Sequence, residues 1–356
     1  MSEGRGETAD TRLVGADELI ANAAAILRAL GVDAEDAIIT AEVFVGAEMA
    51  GEPSHGLRLF LTVCERIEAG GHRAATHIDV VRDVGAIAVW AANRSIGQVV
   101  ATRAMATAIE KARAHGIGTV AVRDATSLTS AKHYVLAAAE AGMIGIVHTN
   151  ASRKVMPAPG GSAPVMGNNP LAFAAPAGRY GALCVDMAMT AAAIERINVA
   201  RERGEPIPGD WALGRDGTPT TDAAEAAEVM TLLPFGGYKA FGLGLMNEVI
   251  TSVLAGGEIF AGASLGFRPL DAPMNTSFTL TALSVAAFSE PAAFCTRMEA
   301  LIETLKASGP GDGVIRYPGE RSQALAAARR ANGIPIASAT LGAFHKRCRR
   351  HGVEVW

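Results

Sequence analysis

The sequence has few cysteines and no long uninterrupted apolar run. Cys64, Cys184, Cys295 and Cys348 lie far apart and form no Cys-x-x-Cys pair, which excludes a disulfide scaffold and predicts free thiols in a reducing compartment. No apolar stretch reaches the roughly 18 residues that a membrane-spanning helix needs. The polar, acidic first residues lack the apolar core of a secretory signal. We therefore expect a cytoplasmic protein with no membrane partner.

The chain also lacks a marked excess of either charge. Its 32 Lys and Arg stand against 36 Asp and Glu, for a formal net charge of −4. This balance offers no basic surface for nucleic acid or for an anionic membrane. What the chain has is length and apolar content, with 356 residues of which 49% are hydrophobic. Such a chain is expected to form about two domains and to bury a core without disulfides. The composition indicates a soluble globular enzyme.

Three helices are predicted in the first 70 residues. Apolar side chains at intervals of three and four predict the first from Ala16 to Leu30, with Gly31 as its stop. The second spans roughly residues 33–48 and begins with Asp33 as N-cap. The third follows a Ser-His-Gly triplet and ends at the glycines of positions 70 and 71.

The pattern changes near residue 78 to short β-rich runs that alternate with amphipathic stretches. Strand, helix, strand, helix and strand in this order predict an α/β layout. Residues 151–220 are rich in Gly and Pro, and we interpret them as ordered loops because apolar runs pass through them. After a Gly-Gly-Tyr-Lys segment comes another apolar-periodic helix, and the chain is helical again from about residue 287.

Two glycine-containing segments bear on nucleotide binding. Residues 116–121, GIGTVA, follow a helix and lead into a strand, the reverse of the dinucleotide-binding order, so a turn is expected there. The loop of Gly236, Gly237, Tyr238 and Lys239 is better placed, because glycine amides, a helix N-terminus and a lysine together suit a phosphate. An ordinary helix start with a solvated lysine is the alternative. A nucleotide site here would not be of the usual Rossmann type.

Two residues are candidates for proton transfer. His55, between Ser54 and Gly56 at a helix start near Arg58, can act as a general acid or base, although a lone histidine is more often structural. Asp186 lies in the apolar run ALCVDMAM, where a buried carboxylate needs a partner. Orienting a histidine is a common use of such a carboxylate, and a satisfied structural aspartate is the alternative.

Two other constellations are not favoured. A metal-binding site would be consistent with the spacing of His345, Cys348 and His351. However, the positive charges of the segment HKRCRRHG would repel a cation, so no metal is expected. The sequence contains no Gly-x-Ser-x-Gly elbow. Adjacent Ser54 and His55 are poorly placed as nucleophile and base, which argues against a hydrolase.

Seven segments, in order from about residue 15 to 340, together resemble the type-2 malate/L-lactate dehydrogenases, a family that includes ureidoglycolate dehydrogenase and the Δ1-piperideine-2-carboxylate reductases. They are SHGLRLFLTVCERIEAGG, AAAEAGMIGIVHTN, PGG with VMGNNPLAFAAP, VDMAMT, GDWALGRDGTPTTDAAEA, LLPFGGYKAFGLGLMNEVITSVLAGG, and PGDGVIRYPGERS followed by NGIPI. The resemblance implies a homodimer that binds NAD or NADP on a largely antiparallel sheet domain without a Rossmann fold. It also implies hydride transfer to a 2-oxo or 2-imino acid. We predict a helical dimerisation domain of residues 1–85 and 287–356, and a sheet domain of residues 86–286.

The resemblance also implies roles for individual residues. In the reductase branch the serine and histidine of the first segment and the aspartate of VDMAMT form a proton relay, and these are Ser54, His55 and Asp186 here. Arg58, Arg153 and Lys154 are candidates to hold a substrate carboxylate, with a plain surface charge as the alternative for each. The predicted cofactor contacts are Ser127, Thr129, Asn168, Asp186, Met187, Ala188, Gly236, Gly237 and Lys239.

The chain departs from this family pattern at several places. Leu59 stands where hydroxy-acid members usually have Arg, with Arg58 one place early, and Val63 stands where they have Tyr. Glu195 and Arg196 replace a familiar Gly-Lys pair, so cofactor contacts in that loop are not carried over. These departures argue against oxidation of a 2-hydroxy acid.

The largest departure is in the segment TSLTSAKHY. Ser127, Thr129 and Lys132 replace the histidine and both glycines of a His-x-Gly-x-x-Gly pattern, and hydroxy-acid dehydrogenases use that histidine as general base. We therefore predict an NAD(P)H-dependent reductase of a small imino or keto acid, with NADPH favoured over NADH. The alternatives are a family member that has lost catalysis and acts as a binding or scaffold protein, and a hydroxy-acid dehydrogenase whose base is relocated to His133 or Lys132.

Overall fold

The computed structural model describes residues 10–260, 267–309 and 314–355. Residues 310–313, which belong to the PGDGVIRYPGERS segment, lie outside the described residues. The first half of the described chain contains β1 (Thr11–Val14), α1 (Ala16–Ala29), α2 (Ala34–Met49), α3 (Leu57–Glu68), β2 (Asp79–Val84), β3 (Ile87–Ala91), α4 (Gly97–His115), β4 (Ile117–Ala125), α5 (Lys132–Glu140), β5 (Met143–Thr149), β6 (Met156–Pro157), β7 (Pro164–Met166), β8 (Leu171–Pro176) and β9 (Ala182–Met187). The second half contains α6 (Ile194–Arg203), β10 (Ala212–Leu213), α7 (Ala223–Val229), β11 (Thr231–Leu232), α8 (Tyr238–Glu248), β12 (Thr276–Ser284), α9 (Val285–Phe288), α10 (Pro291–Ala307), α11 (Glu320–Asn332), β13 (Ile334–Ala337) and α12 (Ser338–Arg350).

The helices α1, α2, α3 and α12 share one hydrophobic core, and β1 pairs antiparallel with β13 beside them. The side chain of Asp33 accepts the backbone N–H of Glu35 at 3.0 Å, so the predicted N-cap of α2 is present. At the centre of this core the rings of Phe44 and Phe60 lie 5.7 Å apart and those of Phe60 and Phe344 lie 5.9 Å apart. Contacts between aromatic rings at these distances add to the free energy gained by burial.

A seven-stranded sheet in the order β2-β3-β4-β12-β5-β8-β9 forms the rest of the framework. Only β3 and β4, which α4 connects, run parallel, and the other neighbouring strands of this sheet are antiparallel. The expected largely antiparallel α/β fold is therefore confirmed. The helices α4 and α5 cover the face that carries Val147 and Leu280. The opposite face carries His148 and Thr279, which contact α8 and the π-helical turn of residues 249–253 that continues it.

Several local predictions also hold. Gly116, with φ of 80°, ends α4 directly before β4, so the expected turn is present at Gly116 and the rest of GIGTVA belongs to β4. The Gly-rich region after residue 150 is ordered and contains β6 to β9 and α6. The division of the chain at residues 85 and 286 stays a prediction; β2, which lies before that first boundary, pairs with β3. None of the helices within the described ranges combines the length and the apolarity needed to cross a bilayer.

The first residue of α4 packs directly against the loop that follows β4. The backbone N–H of Gly97 donates to the Thr126 hydroxyl at 2.7 Å. A Cβ at Gly97 would lie 2.4 Å from the backbone oxygens of both Thr126 and Ser127. Backbone atoms cannot swing away as a flexible side chain can, so glycine is required here for the loop at Ser127 to keep its position.

We expect Gly97→Ala to lower the free energy of unfolding by about 1–3 kcal/mol, because the added methyl overpacks a backbone contact. Gly242→Ala is the matched control: this exposed glycine lies inside α8 and its Cβ would meet nothing within 4 Å. The control is expected to be neutral or to gain up to about 1 kcal/mol from helix propensity. Urea unfolding followed by circular dichroism measures both; equal effects of the two substitutions would contradict the close contact at Gly97.

Candidate active site

Ser54 and His55 lie on a short 3-10 turn, Pro53–His55, between α2 and α3. The buried carboxylate of Glu48 accepts the backbone N–H of Leu57 at 2.8 Å and so fixes the start of α3 directly after this turn. The Ser54 hydroxyl and Nδ1 of His55 are 3.0 Å apart, and both side chains are exposed. A partner at Nδ1 leaves Nε2 as the nitrogen that can exchange a proton with a bound molecule.

Asp186 lies near the end of β9, opposite Ala172 of β8. Because Ala172 belongs to the core under α4 and α5, Asp186 points to the same face. Its Oδ2 accepts the backbone N–H of Lys132, the first residue of α5, at 2.8 Å and lies 3.4 Å from the Ser130 hydroxyl. A helix N-terminus is a favourable place for a carboxylate. The predicted need of Asp186 for a partner is thus met by the backbone of α5.

The pKa of Asp186 is shifted by its surroundings. Burial raises the pKa of this carboxyl most strongly, and the neighbouring Glu52 carboxylate raises it further. The N–H and the ammonium group of Lys132, together with His55, act in the opposite direction and lower it. Burial and the second carboxylate prevail, so Asp186 holds a proton to a higher pH than an ordinary aspartate does.

Glu52 connects the turn of Ser54 and His55 to the site around Asp186. Its carboxylate pairs with the ammonium group of Lys132 and accepts the Ser130 hydroxyl at 2.9 Å. His55 and Asp186, both described, form no hydrogen bond with each other, but they lie close enough to interact electrostatically. Three predicted residues therefore share one region. The sequence pattern does not indicate Glu52 or Ser130, although Glu52 precedes Ser54 by two positions.

The loop before α5 contains a residue with an unusual backbone conformation. Thr129 has φ of 72°, in the left-handed region that favours glycine, and the family resemblance predicts a glycine at this position. The hydroxyl of Ser127 accepts the N–H of Thr129 at 3.2 Å. Gln98 donates to the Ser127 carbonyl at 3.0 Å and to the Thr129 hydroxyl. The side chains of Ser127 and Thr129 therefore serve to hold the loop.

The predicted cofactor residues Asn168, Met187, Ala188, Gly236 and Gly237 belong to three segments that backbone hydrogen bonds of residue 189 connect. The N–H of residue 189 donates to the carbonyl of Asn168 at 2.8 Å, and its carbonyl accepts the N–H of residue 235 at 3.1 Å. The segment that leaves β9 through Met187 and Ala188 thus runs between Asn168 and the residue that precedes Gly236. These five residues lie along one strip of the molecule that begins at Asp186.

The glycine loop at the end of this strip has the features that a phosphate requires. Gly236 and Gly237 have φ of 58° and 63°, and a Cβ at either position would meet nothing within 4 Å, so the backbone is open to an approaching group. Tyr238 and Lys239 are exposed at the start of α8. The first N–H groups of a helix have no partners within the helix and carry partial positive charge. The residues present fit the phosphates of a nicotinamide cofactor.

The candidate substrate contacts are exposed cations. Arg58 lies 3.9 Å from the carboxylate of Glu195 at the start of α6, and Arg153 and Lys154 are exposed between β5 and β6. Such solvent-exposed pairs are weak, so an anion in solution can compete for Arg58. Among the described residues no group of three His, Cys, Asp or Glu side chains could hold a metal ion.

The sequence matches the family described as malate/L-lactate dehydrogenase over residues 14–344. The chain belongs to the malate/L-lactate dehydrogenase family. A malate dehydrogenase of Pyrococcus abyssi is 33% identical over 347 residues, which cover 95% of this chain and 94% of that one. A ureidoglycolate dehydrogenase (NAD(+)) of Escherichia coli strain K12 is 32% identical over 292 residues, or 82% of each chain. The solved structure of a delta1-piperideine-2-carboxylate reductase from Pseudomonas syringae pvar. tomato has a TM-score of 0.86 at 26% identity, covering 95% of this chain and 100% of that one.

These relatives confirm the family predicted from the seven segments. The family consists of nicotinamide-dependent oxidoreductases that act on small hydroxy and keto acids. A nicotinamide cofactor agrees with the open loop at Gly236 and Gly237.

Proposed function

We propose that this family member is an NAD(P)H-dependent reductase that transfers a hydride to a small 2-imino or 2-oxo acid. One observation carries the proposal. Ser127 stands at the position of the family's histidine base, and its hydroxyl accepts a backbone N–H in the loop. By contrast, His55 is present near Asp186, with Ser54 at its Nδ1 and its Nε2 available to exchange a proton. The site therefore has a group that can give a proton and lacks the usual group that takes one from an alcohol.

The chemistry of reduction matches this set of residues. Hydride addition to C=O or C=N leaves an oxygen or nitrogen that needs one proton. We infer that His55 gives this proton from Nε2, while Ser54 holds the ring at Nδ1. Asp186 lies close enough to His55 for the two groups to interact electrostatically, and we infer that it completes the proton relay. Reduction of an imine makes the smaller demand on a second acid–base group, because the one proton it needs can be added to the basic imine nitrogen by His55 before the hydride is transferred. The likeness to a piperideine-2-carboxylate reductase supports this substrate class.

When bound, the reduced nicotinamide cofactor supplies the hydride. We infer that Gly236, Gly237 and Lys239 hold its phosphates, because this loop combines open backbone, a helix N-terminus and a free ammonium group. NADPH is favoured over NADH because Lys239 adds the localised charge that a 2′-phosphate needs. The remaining proposed contacts are Ser127, Thr129, Asn168, Asp186, Met187 and Ala188.

Three further proposals concern the substrate and the whole protein. Arg58, Arg153 and Lys154 are the proposed partners of the substrate carboxylate, since all three are exposed cations. We also infer a homodimer in the cytoplasm, with a dimerisation domain of residues 1–85 and 287–356. An exposed apolar face on α8 and the segment that follows it, formed by Leu245, Met246, Val249, Val253 and Leu254, supports a dimer. This face lies within residues 86–286, outside the predicted dimerisation domain, so a contact through it would involve the sheet domain.

His55→Ala is expected to lower turnover about 10²–10⁴-fold, because the variant loses its proton donor, while cofactor affinity stays unchanged. The matched control is His115→Ala, which removes an exposed histidine at the end of α4. Turnover is followed by NAD(P)H absorbance and affinity by NAD(P)H fluorescence. Full activity of the His55 variant would remove this residue from the mechanism.

Lys239→Ala is expected to weaken NADPH binding about 10- to 100-fold at low salt, the size of one charge-assisted hydrogen bond. The loss should shrink at high salt, because an exposed charge is screened. Lys346→Ala, on the exposed side of α12, is the control of equal charge change. The dissociation constant is measured by fluorescence at two salt concentrations. An unchanged dissociation constant at low salt would show that the loop is an ordinary helix start. If the unaltered protein bound neither NADH nor NADPH, the alternative of a non-catalytic binding or scaffold protein would be favoured.

Reduction of cyclic or N-alkyl 2-imino acids is expected to exceed oxidation of malate, lactate or ureidoglycolate at least about 10²-fold, the contribution of one lost acid–base group. A panel of both substrate classes with NADH and NADPH measures the ratio. His133 is a poor replacement base, because burial lowers its pKa to about 4. Brisk oxidation of malate or lactate would show instead that another residue has taken over as base.

A further inference from the structure

The contacts around Asp186 include an ion pair for which the family resemblance gives no precedent. Lys132, at the position of a family glycine, pairs with Glu52, and their side chains are only 16% and 26% exposed. The pair joins three elements, because Glu52 precedes the turn of His55, Lys132 begins α5, and the Lys132 N–H binds Asp186 of β9 at 2.8 Å. The pair thus lies between the proposed proton donor and the carboxylate that supports it.

Ser130 links the two carboxylates. Its hydroxyl carries one proton, which it can donate to only one acceptor at a time. The Ser130 hydroxyl lies 2.9 Å from the Glu52 carboxylate and 3.4 Å from the Asp186 carboxylate, so it donates its stronger hydrogen bond to Glu52. Asp186 consequently depends on the backbone of Lys132 for its one short hydrogen bond.

We propose that Glu52 and Lys132 are a pair of positioning residues that orients Asp186 and fixes the pH range in which Asp186 supports His55. This inference rests on the proposed reductase function. An ion pair of this exposure adds little to stability by itself. What it does add is a negative and a positive charge beside one partly buried carboxylate, and these act on Asp186 in opposite directions.

The two charges have opposite effects on the pKa of Asp186. Removing the negative charge of Glu52 takes away a like charge and lowers this pKa. Removing the positive charge of Lys132 raises it, while the backbone N–H of residue 132 remains as donor. In the proposed relay the active form of Asp186 is the ionised one, so the pKa of Asp186 sets the acidic limb of the activity profile.

Among the other titratable groups on the neighbouring elements, His55 acts on the pKa of Asp186 and lowers it. Burial leaves His133 neutral, with a pKa lowered to about 4, and raises the pKa of the Cys184 thiol to about 12. β8, residues 171–176, carries no titratable side chain. The groups on the elements packed against Asp186 are His55 on the turn, Cys184 on β9, His133, Tyr134 and Glu140 on α5, and Glu320, Arg321, Arg329 and Arg330 on α11.

The test compares pH profiles of kcat/KM for imino-acid reduction in Glu52→Gln, Lys132→Met and the double variant. The acidic limb is expected to move down by about one pH unit in Glu52→Gln and up by about one unit in Lys132→Met, and to return close to its original position in the double variant. Lys132→Arg keeps the charge and should keep the profile. Lys111→Met, which removes a similarly buried ammonium group from a pair with Asp83, is the control that should move nothing.

A purely structural pair would lower kcat in both single variants and would shift the limb in neither or in the same direction, which would overturn the proposal. A second measurement separates this outcome from a failed assignment of function. The carboxyl ¹³C resonance of Asp186, assigned with Asp186→Asn, reports its titration without turnover. Opposite shifts of the Asp186 titration in the two variants support the positioning role of Glu52 and Lys132, and equal or absent shifts overturn it. Lack of turnover with every imino and oxo acid overturns the reductase function alone.

Discussion

The hydrogen bond between the Lys132 N–H and the Asp186 carboxylate is the contact on which the candidate site depends. It joins the end of the edge strand β9 to the N-terminus of α5. Through Glu52 and Ser130 the same contact reaches the turn that carries His55. A carboxylate at this place gains from the partial positive charge of the helix start, which offsets part of the cost of burial. The Ser130 hydroxyl adds a second and longer contact to the same carboxylate, at 3.4 Å.

The fold produces this contact through strand register and one close approach. Pairing of Ala172 with Asp186 puts the carboxylate on the face that α5 covers, and a shift of one residue would point it to the other side of the sheet. The loop that leads into α5 is held by α4, because Gly97 lets the helix start touch the backbone of Ser127. Strand register and a backbone contact at Gly97 thus determine where the proposed proton-transfer groups lie.

Much of this arrangement follows from local sequence, and the rest does not. The N-cap at Asp33, the stop at Gly116 and the glycine start of α8 are fixed by interactions within a few residues, so the sequence predicts them. The seven motifs and their order along the chain indicate the family, and the family resemblance in turn implies the antiparallel sheet. Glu52 and Ser130 could not be assigned in this way, because their roles depend on contacts between segments 78 residues apart.

The two glycine positions of the family pattern behave differently here, and the difference explains how the loop tolerates new side chains. Thr129 has a left-handed backbone of the kind that favours glycine, and Gln98 and Ser127 bind it in that conformation, which offsets the strain of a β-branched residue. Lys132 is the first residue of α5 and has no positive φ. Its N–H reaches Asp186 whatever side chain the residue carries. The second glycine is therefore free to change, and a charge placed there acts on Asp186 without disturbing the bond that holds it.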